Sequence, residues 1–334
     1  MLRQIDFEAS DAVQTALASV GRTEDLRFSP DNRLLAIAGY GRRRCLILRI
    51  EIKRGPDGAR ITIPNFIELA SESMGEVHGI DFIDDRTFVV ANRDGLVVVF
   101  GLPPEEPAGQ SREIVPLRRI KGGRRCKLRS PGSVTVSHDS WGRVSLLVCN
   151  NYTHVVTRHV ASRWLGYRTI RNRPLLKHGL DIPDGVALSH DGEWIAVSSH
   201  GTRDVKIYRM SASLGPDTEP AGVLQHANYP HGLRFTADDQ HILVADAGSP
   251  MLHVYDRGTG WDGYHAPRSI AVLDDATFLR GRANPEEGGP KGLDIDRSNS
   301  IVAVTCEEKI LSFFSLQSII GRSTSQPQYD LTRP

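Results

Sequence analysis

The sequence predicts an all-β fold, a six-bladed β-propeller with four antiparallel strands per blade, and three observations predict it. One frame recurs six times: "TEDLRFSPDNRLLAIAG" from Thr23, "VHGIDFIDDRTFVVAN" from Val77, "PGSVTVSHDSWGRVSLLVCN" from Pro131, "PDGVALSHDGEWIAV" from Pro183, "PHGLRFTADDQHILV" from Pro230 and "PKGLDIDRSNSIVAV" from Pro290. The copies follow one another at near-even steps of about 54, 54, 52, 47 and 60 residues, the mark of stacked supersecondary units. Within each copy the apolar residues alternate, then a turn rich in Asp, Gly or Asn leads into a continuous apolar run, which is period-2 strand patterning with hairpin punctuation.

The first strand of a unit carries inward pairs such as Leu26 and Phe28, Ile80 and Phe82, Val186 and Leu188, and Leu233 and Phe235. The second strand is the apolar run after the turn. A third follows in most copies, as in "CLILRIEI", "LVVVFGL", "DVKIYRM", "MLHVYDR" and "ILSFFSL", and a weaker fourth as in "SREIVPLRRI", "AGVLQHA" and "RSIAVLDD". The sixth copy has no fourth strand before the chain enters "IIGRSTSQPQYDL". The N-terminal "LRQIDFE" is expected to supply it and so close the ring. A unit of this kind cannot bury its own faces and must stack on neighbours, so residues 1–334 read as a single domain with blades starting near 24, 78, 132, 184, 231 and 291.

Composition fits a globular chain, with 40% hydrophobic and 24% charged residues. No apolar run reaches the length of a membrane span, and "MLRQIDFEASDAV" lacks the pattern of a secretory signal, so a cytoplasmic protein with no membrane partner is expected. Cys45, Cys126, Cys149 and Cys306 are scattered without metal-type spacing and read as buried free thiols. Charge is uneven: residues 1–174 hold 27 Lys and Arg against 19 Asp and Glu, whereas 175–334 hold 14 against 21. Much of the excess lies in "GRRRC" and "RRIKGGRRCKLRS".

The frame is constant while one polar letter inside it changes. In a propeller the first strand of each unit lines the central channel and the second runs back beside it, so the residue before strand one and the residue after strand two emerge at the same mouth. The first set is Glu24, His78, Gly132, Asp184, His231 and Lys291; the second is Tyr40, Asn92, Asn150, His200, Asp246 and Glu307. Gly79, Gly185, Gly232 and Gly292 follow the variable letter, where backbones crowd. Two carboxylates, two imidazoles and an ammonium thereby meet at one axis, a constellation suited to a metal or a charged ligand. Glu24, Asp184 and His231 are the candidate metal ligands, and His78 and His231 the candidate acid–base groups. Lys291, Asn92, Asn150, His200, Asp246, Arg124 and Arg125 are the candidate ligand-binding residues.

The blade texture of "VALSHDGEWIAVSSHGTRDVKIY" resembles the YVTN-type repeats of lactonase-like propellers. The ring of letters is similar to that of the calcium-dependent six-bladed group that includes gluconolactonases, paraoxonases and, more distantly, strictosidine synthases. Glu24 in "TEDL" matches the acidic residue that group places at the mouth of blade one, His78 in "VHGIDF" matches the second-blade "HG" of paraoxonases, and Asp184 in "PDGVAL" matches a gluconolactonase "PDG". The resemblance implies a calcium-dependent hydrolase. The chain departs from it at Gly132 and Ser133, where the group has Asn, at His231, where it has Asn or Asp, and at Lys291. Calcium takes six to eight oxygens. Imidazoles with carboxylates suit zinc, manganese or iron, and Lys291 is itself able to stand in for a cation, leaving no metal at all.

Two functions from different classes are expected. The first is a metal-dependent lactonase or ester hydrolase acting on a small anionic substrate at the channel mouth, with Glu24 and Asp184 holding the ion and His78 or His231 taking the proton of the attacking water. The second is a non-catalytic propeller whose basic face, with Arg42, Arg43, Arg44, Arg124, Arg125, Lys127 and Arg129, binds an anionic ligand or an acidic protein partner. Nucleic acid ranks below both, because no aromatic residues are interleaved in these basic loops. The stretch "FLRGRANPEEGGPKG" before the sixth unit reads as a lid.

Overall fold

Alternating inner strands of the repeat do form a propeller. The structure, a computed structural model, describes residues 2, 4–55, 58–124 and 126–321. Six strands, Thr23–Phe28, Val77–Asp84, Pro131–His138, Pro183–Leu188, Pro230–Phe235 and Pro290–Ile295, each pack beside the next, and the last packs beside the first. Each opens a mostly antiparallel sheet that runs outward from the axis.

The count of six is corrected to seven sheets among the described residues. The additional sheet pairs Glu51–Gly55 with Gly58–Ile63, and Gly58–Ile63 in parallel with Phe7–Ala9; it contains no copy of the frame and none of its strands enters the central circle. "CLILRIEI" reads as one strand in sequence but is two, Arg44–Arg49 and the start of Glu51–Gly55, because the chain leaves the first sheet at Ile50 for this hairpin before returning at Phe66–Ala70. Strand number also varies. "SREIVPLRRI" divides between sheets: Gln110–Glu113 lies parallel to Phe66–Ala70 as a fifth strand of the first, and Pro116–Ile120 completes the second. Among the described residues the fourth sheet has five strands and the sixth three.

The N-terminal segment meets the sixth sheet at a single antiparallel bridge, Ile5 to Phe313, with the Ile5 N–H donating to the Phe313 carbonyl at 2.8 Å. The full fourth strand expected there is thus reduced to one bridge, because the chain turns at once into Phe7–Ala9 and pairs with the additional sheet. Phe7 packs edge-on to Phe313 at 5.6 Å.

Six apolar clusters lie between successive sheets. The one between the sixth and first holds Ala303 and Phe313 with Leu26, Phe28 and Ile37, and is extended outward by Ile61 and Ile63 of the additional sheet and by Val13 and Leu17 of the helix Asp11–Ser19. Ser10 caps that helix by accepting from the Val13 N–H. All four cysteines are buried and unbonded to one another. No helix among the described residues is long and apolar enough to cross a membrane.

Candidate functional site at the propeller axis

The variable residue is the second of its strand in all six ring strands, and in every one of the six hairpins the register slips there, between Thr23 and Leu26, Val77 and Gly79, Pro131 and Val134, Pro183 and Val186, Pro230 and Leu233, and Pro290 and Gly292. A bulge re-aims a side chain and ends regular pairing. Repeated around the circle, it turns Glu24, His78, Asp184, His231 and Lys291 toward a common centre. The glycine that follows makes this packing tolerable: a Cβ on Gly232 would lie 2.7 Å from the Lys291 carbonyl oxygen, and one on Gly185 would collide with the His231 carbonyl.

His231 is the hub. Its Nε2 lies 3.3 Å from Glu24 Oε2 and 3.1 Å from Asp184 Oδ2. His78 Nε2 stands 3.7 Å from Glu24 Oε2 and 3.6 Å from Asp184 Oδ1, with its ring stacked on that of His231 at 5.2 Å. His200, from the end of the second strand of the fourth sheet, places Nε2 3.7 Å from Asp184 Oδ2. All five side chains are buried. Glu24 Oε2, Asp184 Oδ2, His78 Nε2 and His200 Nε2 nevertheless lack any hydrogen bond of acceptable geometry. Buried polar atoms are ordinarily satisfied, so four facing one another form a cradle for something that bonds to all of them.

The donor set fits a divalent transition metal. Glu24, His78 and His231 bring their ligand atoms within 4.8 Å of one another, as do Asp184, His200 and His231. Each group is two imidazoles and one carboxylate, the combination that holds catalytic zinc and non-haem iron. It does not suit calcium, which takes oxygen ligands.

Charge around the cradle supports the same reading. Burial would raise Glu24, but Lys291 and then His78 and His231 hold it well below the usual carboxylate range. Burial likewise opposes ionisation of Asp184, and His231, His78, His200 and Arg93 overcome it. Burial, reinforced by the charge of Arg93, keeps His78 far below an ordinary histidine, and burial brings His200 down to about 4. Ionised carboxylates and neutral imidazoles are the protonation states in which these groups ligate metals. His231 differs: although burial lowers it, Asp184 and Glu24 raise it above the ordinary value.

A second layer fixes the first. Lys291 Nζ lies 3.3 Å from Glu24 Oε1, 2.7 Å from Glu287 Oε2 and 3.5 Å from Glu307 Oε2. Arg22 pairs with Glu24 Oε1 and lies 3.2 Å from Glu287. One carboxylate oxygen of Glu24 is thus occupied by cations, and the other is left facing the imidazoles. Asp184 is held by Asn151 at 2.7 Å and by Arg93 at 3.3 Å, leaving Asn151 Oδ1 and Arg93 NH1 buried without partners. Tyr229 stacks on His200 with ring centres 3.9 Å apart, and Arg22 lies over the ring of Tyr40.

Of the second set, the structure brings His200 to the cradle and Glu307 to Lys291. Asn92, Asn150 and Asp246 are corrected: they fold back to hold loops. Asn92 accepts from the Gly75 N–H and donates to the Leu96 carbonyl. Asn150 accepts from the Arg129 N–H and donates to Thr157 Oγ1. Asp246 accepts from Asn228, Tyr229 and Gly248 N–H groups and pairs with His253 at 2.9 Å. A strand-end position is compatible with either use, and the sequence does not distinguish them. Arg124 is exposed and pairs with none of the axial residues, while Arg125 lies outside the described residues. Gly132 brings no side chain. Sequence reasoning missed Arg22, Arg93 and Asn151, although each directly adjoins a frame position, and Glu287, which sits inside the stretch read as a lid.

No protein-family model matches the sequence, and no curated protein matches it. The fold is shared. The chain is similar to the β-propeller domain of Myceliophteria thermophila Cps50 (Swd1), with a TM-score of 0.53 and 12% identity over 88% of this chain and 83% of that one. At that identity the likeness concerns the propeller architecture alone.

Proposed function

We propose that the protein is a metal-dependent hydrolase of the lactonase or esterase class, working on a small anionic substrate at the axial cradle. One observation carries this reading: three imidazole nitrogens and two carboxylates, buried and mutually facing, leave four of their atoms without a hydrogen bond. Glu24, His78 and His231 would hold a zinc, manganese or iron ion, and Asp184 faces the same two imidazoles. Such an ion, when bound, polarises a carbonyl and acidifies a water. Lys291 and Arg22 orient Glu24 by occupying its Oε1. His200, kept neutral by burial, offers to a proton its Nε2, which carries no hydrogen bond and stands 3.7 Å from Asp184 Oδ2. Arg93 NH1, already unpartnered beside Asp184, is the donor for an anionic or carbonyl oxygen of the substrate.

Metal analysis of protein purified without chelators tests this directly. The expected result is close to one equivalent of a transition metal, lost in His231→Gln, together with hydrolysis of simple γ- and δ-lactones that stops on chelation and returns with zinc, manganese or iron. Metal-free protein whose melting temperature ignores all three ions would overturn it. That outcome would favour the second reading, a non-catalytic propeller binding an anionic ligand or an acidic protein, which is supported by the exposed Arg42, Arg43, Arg124 and Lys127.

A further inference from the structure

The charge excess has a second location, far from the axis. Between residues 131 and 177 the chain holds seven Lys and Arg against one acid, Asp139. This segment makes the third sheet. In the third sheet, Arg143 stands opposite Ser162 and Ser162 opposite Arg168; Val160 stands opposite Arg171, and Arg158 opposite Arg173. Side chains alternate along a strand, so this register places Arg143, Arg158, Arg168, Arg171 and Arg173 on one face of one sheet. Like charges directly opposite one another destabilise a sheet, and Arg158 faces Arg173.

Counter-charge is scarce. Asp139 pairs with Arg143 at 2.6 Å. Among the described residues no carboxylate pairs with Arg158, Arg168, Arg171 or Arg173; Arg158 donates to Ser145 Oγ and Arg173 to the Leu214 carbonyl. Two tryptophans stand at the end of the same sheet. Trp141 is 74% and Trp164 81% exposed, and Trp164 lies against the Gly142 turn that follows Trp141. Large exposed apolar groups beside unpaired charge mark a contact surface.

The inner part of this face packs through Leu147 and Val156 on the fourth sheet, which leaves Arg143, Arg168 and Arg171 exposed and Arg158 and Arg173 half-buried. We propose that the outer edge of the face binds single-stranded nucleic acid, its guanidinium groups tracking phosphates and the exposed indoles stacking on bases. All five cations are arginine, whose planar fork meets phosphate oxygens in pairs. Their rows step along the strands by about 7 Å, away from the rim that carries the tryptophans. A membrane would meet only the rim, whereas a linear polyanion lying along the strands meets every row. An acidic peptide would satisfy the arginines but leave Trp141 and Trp164 idle. A cationic track joined to aromatic platforms is the general form of a sequence-tolerant single-strand site.

Fluorescence anisotropy with labelled oligo-uridine and oligo-deoxythymidine, against polyglutamate and phosphatidylserine vesicles, tests the proposal on the full chain. Oligonucleotide binding is expected to weaken steeply with salt and to quench tryptophan fluorescence. The triple variant Arg158→Ala, Arg171→Ala, Arg173→Ala should bind roughly tenfold or more weakly, and its salt slope should fall by about 2, near 0.7 for each lost phosphate contact. Trp164→Ala should lose part of the affinity while keeping the slope. If the triple variant fails to fold, Arg171→Gln, at an exposed position without a hydrogen-bond partner, should lower the slope by about 0.7. No binding at low salt, an unchanged slope in the arginine variants, or tighter binding to polyglutamate or vesicles would overturn the proposal.

Discussion

Lys291 Nζ lies 3.3 Å from Glu24 Oε1, and both side chains are almost wholly out of water. A buried ammonium so placed is kept charged: burial lowers its pKa, but Glu24 and Glu287 raise it beyond the ordinary lysine value. Removing one partner of a buried pair leaves the other uncompensated. With Arg22 still on Glu24 Oε1, Lys291→Met is expected to cost about 3 kcal/mol of stability in urea unfolding, the low end for a broken buried pair. The double variant Lys291→Met, Glu24→Gln should recover part of that loss, whereas additive costs would show that the two residues act independently.

Gly185 illustrates what the ring geometry demands. A Cβ there meets the His231 carbonyl, with Leu233 Cδ2 and Ser198 Oγ each 2.8 Å away. Gly185→Ala should destabilise by roughly 2–3 kcal/mol, in the range of overpacked cores, and should disturb His231. Gly192→Ala, at φ 73° with open space around it, should cost only about 1 kcal/mol of backbone strain. Thermal melts of the two variants give the comparison, and equal costs would contradict it.

His159 sets a pH window. Buried in the third sheet, with its Nε2 2.9 Å from Thr157 Oγ1, it is pushed down to about 4 by burial. A histidine depressed in the folded state binds fewer protons there than in the unfolded chain. Its contribution is therefore complete above about pH 6.5 and is lost as pH falls toward 4. Between pH 7 and pH 5 the wild type should lose roughly 2 kcal/mol on this account, and His159→Gln should lose correspondingly less. Urea titrations at the two pH values measure the difference; an identical loss in both proteins would remove His159 from the explanation.

The ring strands were legible because each repeats a period-2 pattern with a marked turn, and the variable letter was legible because it breaks an otherwise constant frame. The additional sheet was not, since "RIEIKRGPDGARITI" is a local hairpin without a second copy to align against. The axial cluster of Glu24, His78, Asp184 and His231 follows from circular symmetry alone. His200 belongs to the second set, and nothing in the residue types separates it from Asn92, Asn150 and Asp246, whose polar atoms are consumed by their own loops. Arg93 and Glu287 escaped because loop residues reach the axis by conformation, which carries no periodic signal. The opposed arginines of the third sheet depend on strand register, and a bulge beside Val160 decides which of them share a face.

The Ile5–Phe313 bridge ties the first residues of the chain to the last sheet, and the cluster beneath it mixes Leu26 and Phe28 with Ala303 and Phe313. A chain emerging from the ribosome thus carries an uncovered greasy flank on its first sheet until Ala303 and Phe313 have been made. A cut on either side of that seam, at Ile5 or at Phe313, opens the same joint.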